Sequence, residues 1–435
     1  MISTETSAIF SCTSSPSQPG SADCVLHITI AASTVDALFE RALHTQKTTV
    51  AVPGFSRGQA PLSYIINYLR PLLIEHVTSF LFNYAIVNYL FQQIRTHQLI
   101  VCGSPRLKNV FVEPGKPAEF LIACTTAQPI IIPSWKHLPF KAPRRKNYRD
   151  LDKQVESFMN EEQSRNSTSR QTIQFQDWVF FTIAIAPDNG PACVLNPQNF
   201  WIHIGDEEAD APYHEIFLHK KVDDTFIATH QALRDFFSTV PASDDQFIVT
   251  VKKIISHDFF DFELFKHHFK LKSGPQLHQK LIEVFSYRND LSQRRLMAQE
   301  ALDLLLSRTA VNIPEEAIDI REHELRTELH ANPDYPVYKM QKDFDRHVRA
   351  LAHKQLREHA ILDQLAYDER LLVDIDDISA YLMLTTRPRM REFAYFDIPM
   401  GKSHGQEAPI HGAIIERSCQ REKALNYLIY HLTRR

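Results

Sequence analysis

Between Val52 and Pro61 the sequence reads VPGFSRGQAP, which sets one phenylalanine and one arginine among two glycines and two prolines. The whole chain holds only 11 glycines in 435 residues, so two within five positions mark a turn that other residues would strain. Gly54 and Gly58 permit such a turn, and Pro61 fixes the start of the following helix. Phe55 is then an apolar anchor beside Arg57, whose planar fork can give two hydrogen bonds to a phosphate or carboxylate. The chemistry open to this loop is recognition rather than bond-making. Taken alone, the same residues also describe a purely structural Gly-Pro turn.

Other chemistry-bearing patterns are weaker. GKS at Gly401–Ser403 lacks the earlier glycine of a phosphate loop, because Phe396 stands there, so no nucleotide cofactor is expected. The 21 histidines include His267–His268 and His353/His359 but no metal-ligand spacing; they read as solvated surface groups, and no metal is expected. There is no Gly-x-Ser-x-Gly elbow and no cysteine-centred catalytic signature. Asp376 and Asp377 read as carboxylates at a helix start, where they favour the dipole. The six cysteines form no CxxC pair, which fits a reducing cytoplasm better than a disulfide framework.

These residues need a scaffold, and length suggests two to four domains. With 44% hydrophobic residues, 23% charged residues and a formal net charge of -4, the chain reads as ordinary soluble protein. FLFNYAIVNYLF is too short to span a bilayer, so no membrane insertion is expected. Residues 1–23 lack a signal-peptide pattern and read as a flexible tail. Cys24–Ala31 alternates as a strand, a helix follows with Ser33 or Thr34 as its N-cap, and Leu62 to Thr96 is apolar at helical steps with a break at Pro71. A strand over Glu119–Ala127 pairs back, so residues 24–127 form a strand–helix–loop–helix–strand unit. Residues 128–170 read as a proline-rich, basic linker ending in a short helix. Residues 171–257 are mostly strands, and 258–435 are helical, as an irregular bundle or a set of arms. The first long helix there is expected to run from Ser273 to Thr309.

In that order the chain resembles trigger factor, the bacterial ribosome-associated chaperone. The resemblance is carried by VPGFSRGQAPLSYII (Val52–Ile66), by LIEVFSYRNDLSQRRLMAQEALDLLLSRTAVNIPEEAIDIREHEL (Leu281–Leu325) and by RALAHKQLREHAILDQLAYDERLLVDIDDISAYL (Arg349–Leu382). It implies an α+β multidomain fold. An N-terminal α/β ribosome-binding domain (24–127) is followed by a small FK506-binding-protein-like β domain (171–257) and a helical C-terminal chaperone domain with arms (258–435). The tip residues Gly54, Phe55, Arg57, Gly58 and Pro61 would dock on an exit-tunnel protein and rRNA of the ribosome. The arms would hold nascent or unfolded polypeptides without ATP, and a homodimer is possible. Val373, Ile375, Leu382 and Met383 are guesses for residues facing such clients.

The sequence departs from the family pattern at Ser56 and Gln59, where the family carries cations, which implies weaker, less salt-sensitive binding to RNA. This leaves a ribosome-independent holdase as an alternative. In the β domain the best match to the isomerase motif is Ile204–Phe226. There Asp210 and Ala211 replace an Ile-Pro pair, Pro212 replaces a glycine, and His219 and Asp223 fill glycine positions that favour positive φ. A degraded proline pocket follows, and a working prolyl isomerase is the alternative reading. Tyr213, Phe181 and Trp201 are the candidate aromatics of that pocket, with ordinary core packing the competing reading for Phe181 and Trp201.

Overall fold

The computed structural model describes residues 9–16, 23–49, 53–56, 58–143, 150–165, 172–187, 195–238, 245–288, 291–399, 401–403 and 405–434. Its first sheet is set by alternation: Leu26, Ile28 and Ile30 are buried on one face of β2 (Asp23–Ile30). The tail is where expectation fails first. Phe10–Pro16 is a strand, β1, that pairs antiparallel with β2 from Phe10↔Ile30 to Pro16↔Cys24. Its Ser/Thr-rich residues lie along a sheet edge, where polar side chains are at home, and Phe10 is buried in the core with Cys12 packed against it. With β3 (Arg106–Phe111) and β4 (Ala118–Thr125) the order is β1-β2-β4-β3.

Helix α1 (Ala32–Thr49) starts one residue before the expected caps. The Ala31 carbonyl accepts from the Thr34 and Val35 amides, so neither Ser33 nor Thr34 is the N-cap. Helix α2 (Leu62–Leu81) runs straight through Pro71. Pro71 lies on the exposed face, so the carbonyl it leaves without an amide partner, that of exposed Asn67, faces water at little cost. The irregularity falls instead at Phe82–Ile86, a π-helical turn leading into α3 (Val87–Thr96).

Residues 128–143 contain no regular element, yet Ile130, Trp135 and Phe140 are buried among the C-terminal helices. This part of the linker is pinned by its own apolar side chains. Helix α4 (Leu151–Arg165) follows. The central module holds β5 (Trp178–Ile185), β6 (Gln198–His203), α5 (Ala211–Phe217), β7 (Thr225–Ala228), α6 (Gln231–Phe237) and β8 (Phe247–Ile255).

The rest is helical: α7 (Phe262–Phe269), α8 (Gly274–Phe285), α9 (Gln293–Arg308), α10 (Glu315–His330), α11 (Tyr335–Lys339), α12 (Phe344–Asp368), α13 (Ile375–Thr385) and α14 (Gly412–Thr433). The helix expected over 273–309 is two, because a short hairpin (Tyr287–Arg288 with Leu291–Ser292) intervenes and the Ser292 hydroxyl caps α9. Asp374 caps α13 in a capping box with Asp377. His268 departs from the surface reading of the histidines. It is buried, bonds the Asn426 amide at 2.9 Å, and is held neutral by desolvation, its pKa pushed down to about 3.

The three regions are joined by packing as well as by the chain. One apolar cluster runs from the first sheet through α2 into the central module, where Phe80 and Tyr84 pack on Phe237. The Tyr84 hydroxyl donates to the carbonyls of Ile183 and Asn196. From the other end of the sequence a two-residue strand, β9 (Ile410–His411), returns to pair with β6, giving the order β9-β6-β5-β8-β7.

Candidate docking tip and apolar surfaces

The tip is built by backbone conformation. Gly54 and Gly58 have φ of 88° and 80°, the left-handed region where glycine carries no side-chain penalty. The Gln59 amide closes a turn onto the Ser56 carbonyl at 2.9 Å, and Ala60 is buried, fixing the loop's foot in the core. Pro61 stands at the N-cap of α2, and its carbonyl accepts from Tyr64 and Ile65. Arg57 lies outside the described residues.

Phe55 is 39% exposed and packs on Tyr64 with ring centroids 5.1 Å apart; Tyr64 in turn stacks on Tyr68. Leu62 and Ile66 are exposed on the same first turns of α2. Five large apolar side chains therefore stand in water within fourteen residues, where a sequence-distant core would have no use for them. Sequence reasoning found Phe55 but missed Tyr64 and Tyr68. The signal was present as an aromatic i,i+4 pair set off the face of Ile65, Leu69 and Leu73, which are buried.

The central module treats its expected aromatics differently. Tyr213 is buried beside α6, with its hydroxyl 3.5 Å from the Ala232 carbonyl, and burial raises its pKa. Phe181 lies across from Phe200 in the strand register and packs on Phe217 at 4.9 Å. Trp201 lies across from Phe180 and stacks on it at 4.9 Å. Adjacent positions along a strand face opposite sides of a sheet. Phe181 and Trp201 consequently sit in separate clusters, and the three aromatics do not line one pocket.

The departures in Ile204–Phe226 have visible consequences. His219 and Asp223 adopt φ of 66° and 69°, the conformation of the glycines they replace. Asp210 is almost fully buried; one carboxylate oxygen accepts the Glu407 amide at 2.7 Å, and the other lies where a Cβ on Gly205 would sit. The aspartate thus ties the module to the C-terminal segment.

The helical region carries apolar surface at the end of a hairpin. Helices α10 and α12 pack together, and Arg349 bridges them through Glu315, Asp319 and Glu322. At the turn, Met340 is 88% exposed and Val337 63% exposed. Leu372 and Ile375 are also exposed, but Leu382 and Met383 belong to the core of α13 and cannot face a client. Among the described residues no histidine, cysteine or carboxylate cluster could hold a metal, no cysteine is in a disulfide, and no helix is long and apolar enough to cross a membrane.

Residues 14–159 match the family model described as "Bacterial trigger factor protein (TF)". The trigger factor of Rickettsia rickettsii (strain Sheila Smith) is 20% identical over 414 residues, covering 92% of this chain and 89% of that protein. The trigger factor of Mycolicibacterium smegmatis is 19% identical, covering 80% of this chain and 76% of that protein. A solved structure titled "Promiscuous Substrate Recognition in Folding and Assembly Activities of the Trigger Factor Chaperone" aligns over 97% of this chain and 100% of that chain. It is 13% identical with a TM-score of 0.37, too loose a superposition to bear on the arrangement of the domains. With its N-terminal segment matched by the family model and relatives aligned along most of its length, the chain is similar to trigger factors.

Proposed function

We propose that this protein is an ATP-independent chaperone of the cytoplasm that docks beside the ribosomal exit tunnel and holds nascent or unfolded polypeptides. In this reading the domain of residues 24–127 docks, the helical region of 258–435 holds clients, and the module of 171–257 supports both. The observation that carries it is the tip, with Phe55 exposed at a glycine-hinged turn inside the segment that matches the family. An apolar anchor held on a short turn has few conformations to lose on binding. Scattered exposed side chains such as Val337 and Met340 suit reversible holding, since each gains roughly 25 cal/mol per Å² of apolar area buried.

Sedimentation with ribosomes at low and physiological salt tests the docking. Phe55→Ala should weaken it at least tenfold, and Arg57→Ala should weaken it less while flattening its salt dependence. Absence of co-sedimentation at both salts would leave the ribosome-independent holdase. Because Phe181 and Trp201 face opposite sides of the sheet, acceleration of cis–trans exchange in a prolyl tetrapeptide is not expected.

A further inference from the structure

Six cysteines are spread over 435 residues, yet the first sheet sets two of them opposite each other. Cys24, at the start of β2, is the register partner of Cys124, near the end of β4. Directly opposed residues of neighbouring strands point to the same face. For this pair it is the core face, shared with Leu26, Ile28, Phe120 and Ile122. We propose that Cys24 and Cys124 are a reversible oxidation site, joined by a disulfide when a small peroxide reaches Cys24. The proposal goes beyond the chaperone reading and does not depend on it.

Register makes the bond feasible and also reversible. Opposed residues of an antiparallel pair have Cα atoms about 4.5–5.5 Å apart, inside the roughly 4.4–6.8 Å that a disulfide spans. Their Cβ atoms stand about 4.5–5.5 Å apart, whereas a relaxed disulfide draws them to about 3.8 Å. The two strands must pinch to close the bond, and a bond that holds strain is readily reduced.

Access divides the roles. Cys24 is half-buried, whereas Cys124 is wholly enclosed in the core. Peroxide therefore meets Cys24 first and oxidises its thiol to a sulfenic acid, releasing one water. The Cys124 sulfur then forms the S–S bond, the Cys24 S–O bond breaks, and a second water leaves. Two thiols give up two electrons and two protons, and one peroxide becomes two waters. Burial pushes the Cys24 thiol up, so thiolate is scarce at neutral pH and the pair answers a sustained oxidant rather than a brief pulse. Cys12 packs on the same core but lies opposite Ile28, further along β2, and is out of register for a direct bond to Cys24.

The test exposes the full-length protein to hydrogen peroxide, alkylates the remaining thiols and maps the cysteine peptides by mass spectrometry. The wild type should lose the Cys24 and Cys124 thiols together, yield a linked Cys24–Cys124 peptide, and regain both thiols in millimolar reduced glutathione. Cys124→Ala should leave Cys24 as a sulfenic acid that dimedone traps, and Cys24→Ser should leave Cys124 unreacted. Survival of both thiols, a link from Cys24 to Cys12, or Cys24 ending as a sulfinic acid in the wild type would each overturn the pair. A link that resists glutathione would overturn its reversibility. The wild-type peptide map decides the question even where a variant fails to fold.

Discussion

Asp363 shows how much the chain invests in one buried carboxylate. It lies between the guanidinium groups of Arg417 and Arg421, bonded at 3.0 and 2.7 Å, and almost wholly out of water. Burial works against its charge, but the two arginines prevail and hold its pKa down to about 2. Arg417 also donates to the Val101 carbonyl, so the cluster ties α12, α14 and the end of the N-terminal region together. Asp363→Asn keeps the shape and strands two buried cations, and should cost ~3–5 kcal/mol in urea denaturation. For the wild type the sign is that of a depressed acid. Its contribution is complete above the unfolded carboxylate value near pH 4 and is lost as pH falls toward 2, whereas the Asn variant should show none of that loss. Wild-type and variant acid-unfolding curves that stay parallel would refute the assignment.

At the scale of elements, the short strand β9 depends on a histidine. His411 donates to the Asn83 carbonyl at 2.6 Å, and desolvation presses its pKa down to about 4, with no charged side chain contributing to the shift. The unfolded chain takes up a proton near pH 6.5 while the folded one does not, so stability falls as pH drops from about 6.5 to 4 and levels below. The loss attributable to this residue is about 3 kcal/mol. His411→Gln retains a donor for Asn83 but does not titrate, so its melting temperature should fall less across that window than the wild type's. Melting curves that track each other across the window would exclude this role.

The contrast with β9 shows what the sequence can display. Strand β2 and helix α2 were legible because one face of each is apolar at a period of 2 or 3.6. The positive φ of Gly54 and Gly58 followed from their turn, and that of His219 and Asp223 from the glycine positions they fill in the motif that the sequence resembles. Strand β1 was not legible, since a polar edge strand has the composition of a disordered tail. Nor were the faces of Phe181 and Trp201, which depend on a register between strands rather than on either strand alone. Two residues such as Ile410–His411 carry no periodicity at all.

At the scale of the molecule, the shared core decides how the regions behave. Ordinarily, domains joined by linkers unfold separately. Here Phe80 of α2 lies 5.8 Å from Phe237 and 6.5 Å from Phe247 of the central module, inside the cluster that also contains Leu26 and Phe120 of the first sheet. Arg41 reaches the same module at Asp245, and β9 fastens the C-terminal region to its other edge. Removing one region would expose apolar surface on the next, so the N-terminal and central regions should melt in a single calorimetric transition. Phe80→Ala opens a cavity at their junction and should cost ~3–5 kcal/mol, lowering that one transition rather than splitting off an early one. Two separated transitions in the wild type, or a Phe80→Ala shift confined to one of them, would show that the regions are independent bodies. A single transition means that the tip is carried on a rigid foundation. Phe55 and the arm hairpin would then keep a fixed relation to each other through the shared core.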